Sequence, residues 1–579
     1  MNHPPKSFGH SVIRKEDRRL ITGQGRFTDD VVLPKQTWAA FVRAPVAHAN
    51  ITNFDTADAR KQPGVIGVFT GRDFRDSGLG SLQCGFMIHS RDGSPMRMGE
   101  HPALADQRVR YVGDAVAIVV AEDKATANLA AELVHVSYDE LPVVVDVASA
   151  GTEHAPRIHD NAPENVVFDW AVGNSDAVDT AFTQAAHITE LELINNRLIP
   201  NAMEPRSLNA DYDTGKEQFT IYIASQNPHG LRTTLAAIIG FGPEHKIRVI
   251  SEDVGGGFGS KAFNYAEEVA CLWAAKLVGR PVKWAADRSE AFLTDAHGRD
   301  HVTRAAMALD DQHHITAMRV STQANIGAYL STFGSLIPTH VYAPLLSGQY
   351  NIPAIFCEVV ARYTNTAPVD AYRGAGRPEA AYVVERLVDT AAREIGMDPA
   401  QFRRMNFIKK FPHATPLDMT YDTGDFQAHL DKALQQINAA QFPERRAASA
   451  ARGQLRGLGI GCYIEAAGIG PSARMGKLGS GAGLWESAEV RVNPTGSIEV
   501  LTGSHSHGQG HETTFAQWGR LQRCRNHSWG HRQSSIRRGH FWFAVRPFGV
   551  ISHCIGLQES RRQSHSDSRS FAQRCNRLS

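Results

Sequence analysis

Lys246–Lys261 reads KIRVISEDVGGGFGSK. Lys246–Val254 carries the short β-branched run of a buried strand. Gly255–Lys261 (GGGFGSK) then bends the chain, and Tyr265, Val269, Leu272, Trp273 and Leu277 follow at the spacing of one helical face. Glycines, having no Cβ, let backbone N–H groups come close to a ligand, and the start of the next helix favours an anion such as phosphate. Taken alone, the stretch reads better as a tight strand–helix turn than as a binding site. What it decides is architecture: strand, glycine-rich bend, helix.

Related units lie on both sides. Upstream, Asp114–Ala121 (DAVAIVVA) is a buried strand, Glu122–Leu133 a helix with Ala125, Leu129 and Leu133 on one face, and Val134–Tyr138 a further strand. Downstream, the loop Ala371–Arg377 (AYRGAGR) leads through Pro378, suited to a first helical turn, into a helix. Its apolar stripe is Val384, Leu387, Val388, Ala391 and Ile395, and Gly396 is placed to end it. A helix near Asp425–Asn438 precedes the glycine-rich strands Gly457–Gly470 and Val490–Thr502 and the bend Gly503–His511 (GSHSHGQGH). The fold class is therefore α+β, a mixed α/β chain whose bends gather at element ends, where large cofactors bind. The expected division is an extended segment 1–22, a small α/β domain 23–145, a linker 146–164, a large domain 165–410, an incomplete one 411–517, and a disordered basic tail 518–579.

Composition bounds the function. The chain has 579 residues, 42% apolar and 21% charged, which excludes global disorder. No apolar run reaches the roughly 18 residues of a membrane helix, and Met1–Leu20 is polar, with no secretory h-region. Cys84, Cys271, Cys357 and Cys462 form no C-x-x-C pair. That spacing suits a reduced, cytoplasmic setting and speaks against a zinc or iron–sulfur site held by this chain. Neither a G-x-G-x-x-G nor a Walker A fingerprint fits, and no G-x-S-x-G or H-E-x-x-H motif occurs. His505, His507 and His511 read either as metal ligands or as loop histidines bonded to backbone or to a cofactor; the missing carboxylate or thiolate favours the second.

The ordered segments GRFTDD (Gly25–Asp30), FVRAPVAHANI (Phe41–Ile51), VRYVGDAVAIVVA (Val109–Ala121), YDELPVVVD (Tyr138–Asp146), MEPR (Met203–Arg206), SQNPH (Ser225–His229), DVGGGFGSK (Asp253–Lys261), DRSE (Asp287–Glu290), HGRD (His297–Asp300), AYRGAGR and GQGHET (Gly508–Thr513) form a set. Together they resemble the large molybdenum-cofactor-binding subunit of the molybdenum hydroxylases, which include xanthine dehydrogenase, aldehyde oxidase and aerobic carbon monoxide dehydrogenase. The resemblance runs from Gly9 to about Gln517. It implies a hammerhead-like domain over 23–145 followed by two molybdopterin-binding domains. It also implies a metal held by the dithiolene of a pyranopterin, with no direct protein ligand, in forms that include the cytosine dinucleotide. By resemblance, Gln226 donates to the apical ligand of the metal, Gly257, Phe258 and Gly259 bring backbone beside it, and Arg373 stands at the active centre. Gly508, Gln509, Gly510 and His511 line the pterin. Ala262, Gly374 and Ala375 fall at substrate-pocket positions. Gly374 replaces the cysteine that binds copper in carbon monoxide dehydrogenase, while Ala262 and Ala375 replace the glutamate and phenylalanine that hold a purine. The resemblance thus points to an aldehyde or a small N-heterocycle as substrate. Electrons would pass to a small 2Fe–2S subunit and a medium FAD subunit in a hetero-oligomer.

The tail departs from this pattern. Trp518–Ser579 holds 12 Arg, no Lys and two acids, Glu559 and Asp567, with three of the seven cysteines. The expectation is an out-of-frame read after about Gln517, leaving the chain truncated and without the family's general-base glutamate. The alternative is a non-catalytic remnant or binding module with a nucleic-acid-binding tail, its arginines interleaved with Trp518, Trp529, Phe541, Trp542 and Phe543. No recognised nucleic-acid motif accompanies them, so nucleic acid is not the expected partner.

Overall fold

The computed structural model describes residues 11–466, 487–495, 498–518, 524–526 and 552–563. A seven-stranded sheet runs in the order Ile247–Ile250, Gln218–Ile223, Ser207–Asp213, Val282–Ala285, Thr37–Arg43, Ala115–Ala121, Val65–Thr70. It crosses the expected domain boundary: Thr37–Arg43 pairs in parallel with Val282–Ala285, Thr37 opposite Val282. The strand Ala115–Ala121 is buried at every position, as its unbroken apolar run requires. The helix Ala266–Val278 lies over this sheet and is buried continuously from Glu267 to Ala275. Leu277 does not join that face, being half exposed on the last turn. A second sheet orders Val166–Gly173, Ala354–Tyr363, Ile315–Gly327, His301–Leu309 and His187–Asn195. The helix Arg377–Glu394 buries Val384, Leu387, Val388 and Ala391 in the same core as sheet residues Met307, Val320 and Val359. Pro378 sits in its first turn, and Gly396 follows it at φ +70°.

Four expectations are corrected. The 1–22 segment is not extended throughout, because Lys15–Ile21 is helical, with Glu16 and Asp17 in its first turn and Arg18 and Arg19 in its last, each sign matched to the helix dipole. The helix Lys124–Glu132 buries Ala127 and Ala130, whereas Ala125 and Leu129 face solvent. Ala127 packs against Ala40 and Ala121, and Ala130 against Val68 and Val119. The 146–164 linker is packed rather than loose: Ile158 and Ala162 are buried, and Asn165 Nδ2 donates to Ala150 O (3.1 Å) and Pro156 O (2.9 Å). The basic tail, expected to be disordered, contains the strands Cys524–Asn526 and Ser552–Gln563. Ser552–Gln563 pairs antiparallel along the whole of Gln454–Glu465, supplying backbone partners to a strand edge that would otherwise be open. The remaining tail residues and 467–486, including the end of the expected Gly457–Gly470 strand, lie outside the described residues.

The second cofactor-binding unit begins with the helix Phe426–Gln436, capped by Asp425. Its strand Gln454–Glu465 is fastened to the first unit by Glu385, whose Oε2 accepts from Cys462 N (2.7 Å) and Arg403 Nη2 (2.9 Å), while Arg403 also donates to Ile460 O (3.0 Å). Among the described residues no helix is long and apolar enough to cross a membrane.

Candidate functional site

The glycine bend after Ile247–Ile250 takes a conformation its sequence was built for. Gly256 and Gly259 have φ +93° and +104°, and Phe258, at +53°, joins them with its ring part exposed. A Cβ at Gly257 would meet Gln226 Oε1 at 2.3 Å, and one at Gly259 would meet Ala371 O at 2.2 Å. Gln226 Oε1 accepts from Gly259 N (2.9 Å), which turns the amide NH2 away from the bend, toward His507 Nε2 at 3.4 Å. The other His507 nitrogen faces Gln509 Nε2, also at 3.4 Å. Burial, and then His505, hold the His507 imidazole down at about 4, so the ring is neutral near pH 7 and accepts on only one nitrogen. It cannot satisfy both amides. Gln509 Nε2 already has His505 O and His511 Nε2, each at 2.9 Å, so His507 Nε2 is open to one hydrogen of the Gln226 NH2, and the second hydrogen is left for a ligand.

Three bends meet here. Arg373 N donates to Phe258 O (2.8 Å), joining AYRGAGR to GGGFG, and the Arg373 side chain is exposed. Gly374, Ala375 and Gly376 continue at φ +97°, +31° and +81°. Ala375 packs against Phe86, Leu336, Ile337 and Val341, Ala262 against Phe263, Tyr265 and Ala296, and Phe333 and Ala371 border both clusters. The third bend, with Gly508 at +105° and Gly510 at +86°, is fixed from two sides. His505 Nε2 reaches Ser251 O at 3.2 Å. The N-terminal helix supplies the rest: Arg14 Nη2 donates to Gly508 O (3.0 Å), Lys15 N to Thr513 Oγ1 (2.8 Å), and Arg19 bridges Asp253 (2.9 Å) and Glu512 (3.3 Å). Every predicted site residue therefore lies on one of these contiguous bends or on the elements packed beneath them.

Sequence reasoning missed what supports the bends. Glu204, quoted only as part of MEPR, accepts from Gly255 N (2.7 Å) and from Lys261 Nζ (2.9 Å), and the Lys261 side chain is 1% exposed. Asp370, just before AYRGAGR, is fully buried and accepts from Phe333 N (2.8 Å) and Ala371 N (2.6 Å). Burial pushes its carboxyl up to about 7. A folded-state value above the unfolded one, near 3.9, gives stability that is complete at low pH and lost as pH rises through 7. Asp370→Asn removes the titration while keeping one of the two accepting oxygens, so whatever its overall cost, the fall in urea midpoint from pH 5 to pH 8 should be shallower in the variant than in the parent chain. Equal slopes would show that Asp370 titrates normally.

Among the described residues no three His, Cys, Asp or Glu converge as metal ligands. What converges is an amide with one hydrogen to spare, exposed backbone and a glycine cradle, a set that fits an organic group bringing its own metal ligands. Family models for the molybdopterin cofactor-binding domain match residues 158–407 and 432–519, and the aldehyde oxidase and xanthine dehydrogenase a/b hammerhead domain matches 22–142. The chain is 37% identical over 533 residues to the carbon monoxide dehydrogenase large chain of Hydrogenophaga pseudoflava, covering 87% of this chain and 63% of that one. It superposes on quinoline 2-oxidoreductase from Pseudomonas putida 86 with TM-score 0.82 and 35% identity, over 88% of this chain and 64% of that one. On a Cu,Mo carbon monoxide dehydrogenase the TM-score is 0.81 at 32% identity, over 91% and 68%. The chain belongs to the molybdenum hydroxylase family. The chain spans 63% of the length of the Hydrogenophaga pseudoflava large chain and 62% of the nicotine 6-hydroxylase large subunit of Paenarthrobacter nicotinovorans, to which it is 33% identical. Its mixed α/β fold, with a hammerhead domain ahead of molybdopterin-binding domains, is the one the sequence led us to expect.

Proposed function

We propose that this chain is the molybdopterin-binding catalytic subunit of a cytoplasmic oxidoreductase that hydroxylates an aldehyde or a small N-heterocycle with oxygen from water. Electrons leave through a small 2Fe–2S subunit and a medium FAD subunit. The observation that carries the reading is the meeting of Gln226, Phe258–Gly259, Arg373 and Gly508–His511 at one place. The NH2 of Gln226 would donate a hydrogen bond to the cofactor, and the backbone of Gly257, Phe258 and Gly259 would lie beside it. Gly508, Gln509, Gly510 and His511 would line the pterin, whose forms include the cytosine dinucleotide. When bound, the pyranopterin-held molybdenum supplies the two-electron redox step. Arg373 presents an exposed cation on the AYRGAGR bend, beside Phe258.

Ala262, Gly374 and Ala375 shape the substrate side. A purine would find neither an acidic partner at 262 nor an aromatic wall at 375, each worth about 1–3 kcal/mol. Carbon monoxide chemistry of the copper type needs a thiolate at 374. There the backbone has φ +97°, and a Cβ would stand 2.6 Å from Pro378 Cγ. The likeness to a quinoline-oxidising enzyme supports a heterocycle.

The test is co-expression with the two partner subunits, metal analysis, and reduction of an artificial dye by aldehydes and N-heterocycles. About one molybdenum per chain with dye reduction is expected; molybdenum-free protein overturns the reading. Gln226→Ala removes one preorganised donor and no metal ligand. It should keep the molybdenum and lower turnover on the order of 100-fold. Unchanged turnover would remove Gln226 from the site.

A further inference from the structure

We infer that Arg299 is a positioning residue that sets the AYRGAGR bend by gripping two consecutive backbone carbonyls. The inference rests on the proposed function only for what that bend faces. Arg299, in the HGRD segment, has φ +68° and a side chain 7% exposed. Its Nη1 donates to Tyr372 O (3.0 Å) and its Nη2 to Arg373 O (2.9 Å). The guanidinium also lies over the Tyr372 ring, 5.0 Å from its centroid. Nη1 donates a further bond to Glu379 Oε1 (3.1 Å), whose side chain is 1% exposed on the first turn of the helix Arg377–Glu394.

The geometry is a clamp. A buried guanidinium is costly unless paired, and Glu379 is its counter-charge. The planar fork then reaches the two carbonyls from two separate nitrogens, Nη1 and Nη2, a fixed spacing that the single nitrogen of a lysine does not supply. Between those carbonyls stands Arg373, whose own N–H donates to Phe258 O. Gripping the bend at 372 and 373 thus fixes the hydrogen bond that joins it to GGGFG. On the far side, Arg377 approaches Glu465 of the second unit at 3.7 Å and donates to Ala375 O at 3.1 Å, so the bend has charged supports on both flanks. Ala375 N donates to Tyr372 O (2.7 Å), so the same carbonyl that Arg299 holds also closes the turn.

Hydrogen exchange of the full chain tests this without turnover, whether or not molybdenum is loaded. In Arg299→Lys the charge stays and the fork is lost. Amides in 371–376, including Arg373 and Ala375, should exchange at least tenfold faster, while those of the strand Ala354–Tyr363 stay as protected as before. Glu379→Gln keeps an acceptor but removes the counter-charge, and should accelerate the same amides by a smaller factor. Unchanged exchange over 371–376 in Arg299→Lys overturns the inference. So does an equal acceleration of the bend and the strand, which would mark Arg299 as a general stabiliser. If Arg299→Lys does not fold, Glu379→Gln decides by the same criterion. Molybdenum content, measured on the unsubstituted chain, reports separately on the proposed function.

Discussion

Glu204→Ala should destabilise the fold by about 3–5 kcal/mol, because it strands a buried ammonium without a counter-ion. Lys261 Nζ reaches Glu204 Oε2 at 2.9 Å from a side chain 1% exposed, and the same oxygen accepts from Gly255 N at 2.7 Å. Burial already holds the Lys261 ammonium below the ordinary lysine value, with Glu204 opposing it. Without Glu204 the folded chain binds that proton still less tightly, whereas the unfolded chain keeps a value near 10.4. The variant's stability should therefore rise with pH between 7 and 10. Adding Lys261→Met should recover part of the loss, since the uncompensated charge goes with it. Urea midpoints of the single and double variants at pH 7 and 9 measure all three effects. A single-variant cost below about 0.5 kcal/mol would place the pair with surface ion pairs of little energetic weight.

Gly259→Ala should cost about 3 kcal/mol or more and empty the site of molybdenum. At φ +104° an L-residue is strained by about 1–3 kcal/mol, and here the new methyl would also lie 2.2 Å from Ala371 O, a backbone atom that cannot swing aside. Relief requires the GGGFG and AYRGAGR bends to part, which breaks the bond from Arg373 N to Phe258 O. Gly279→Ala is the control. Its φ of +64° carries a similar sign of strain, but nothing lies within 4 Å of the added carbon, so its cost should stay near 1 kcal/mol with molybdenum retained. Equal costs for the two variants would mean that the bends yield to each other freely.

Much of the framework was legible because the signals are local. Ala115–Ala121 is a strand since an unbroken apolar run suits a position covered on both faces. Arg377–Glu394 begins beside a proline and ends at a positive-φ glycine, both readable from residue type. The face of Lys124–Glu132 was not readable. Periodicity offered Leu129, but the helix is turned so that Ala127 and Ala130 are what pack, and Leu129 is left in solvent. The helix at Lys15–Ile21 was missed because seven mostly charged residues have no apolar stripe. Their order comes from contacts to Asp253, Gly508 and Thr513, more than 200 residues away.

By itself the sequence determined which segments are strands, bends and helices, which bends can take left-handed backbone, and, through the order of its motifs, the family. These follow from side-chain period and from glycine's missing Cβ, properties each segment carries wherever it sits. Tertiary structure alone decided that one sheet runs through the hammerhead and cofactor domains, that the Gln226 amide faces His507 with one hydrogen to spare, and that Glu204, Asp370 and Arg299 hold the bends. Those facts depend on charges and carbonyls brought together by packing across the chain, where desolvation makes each buried partner matter far more than its residue type announces.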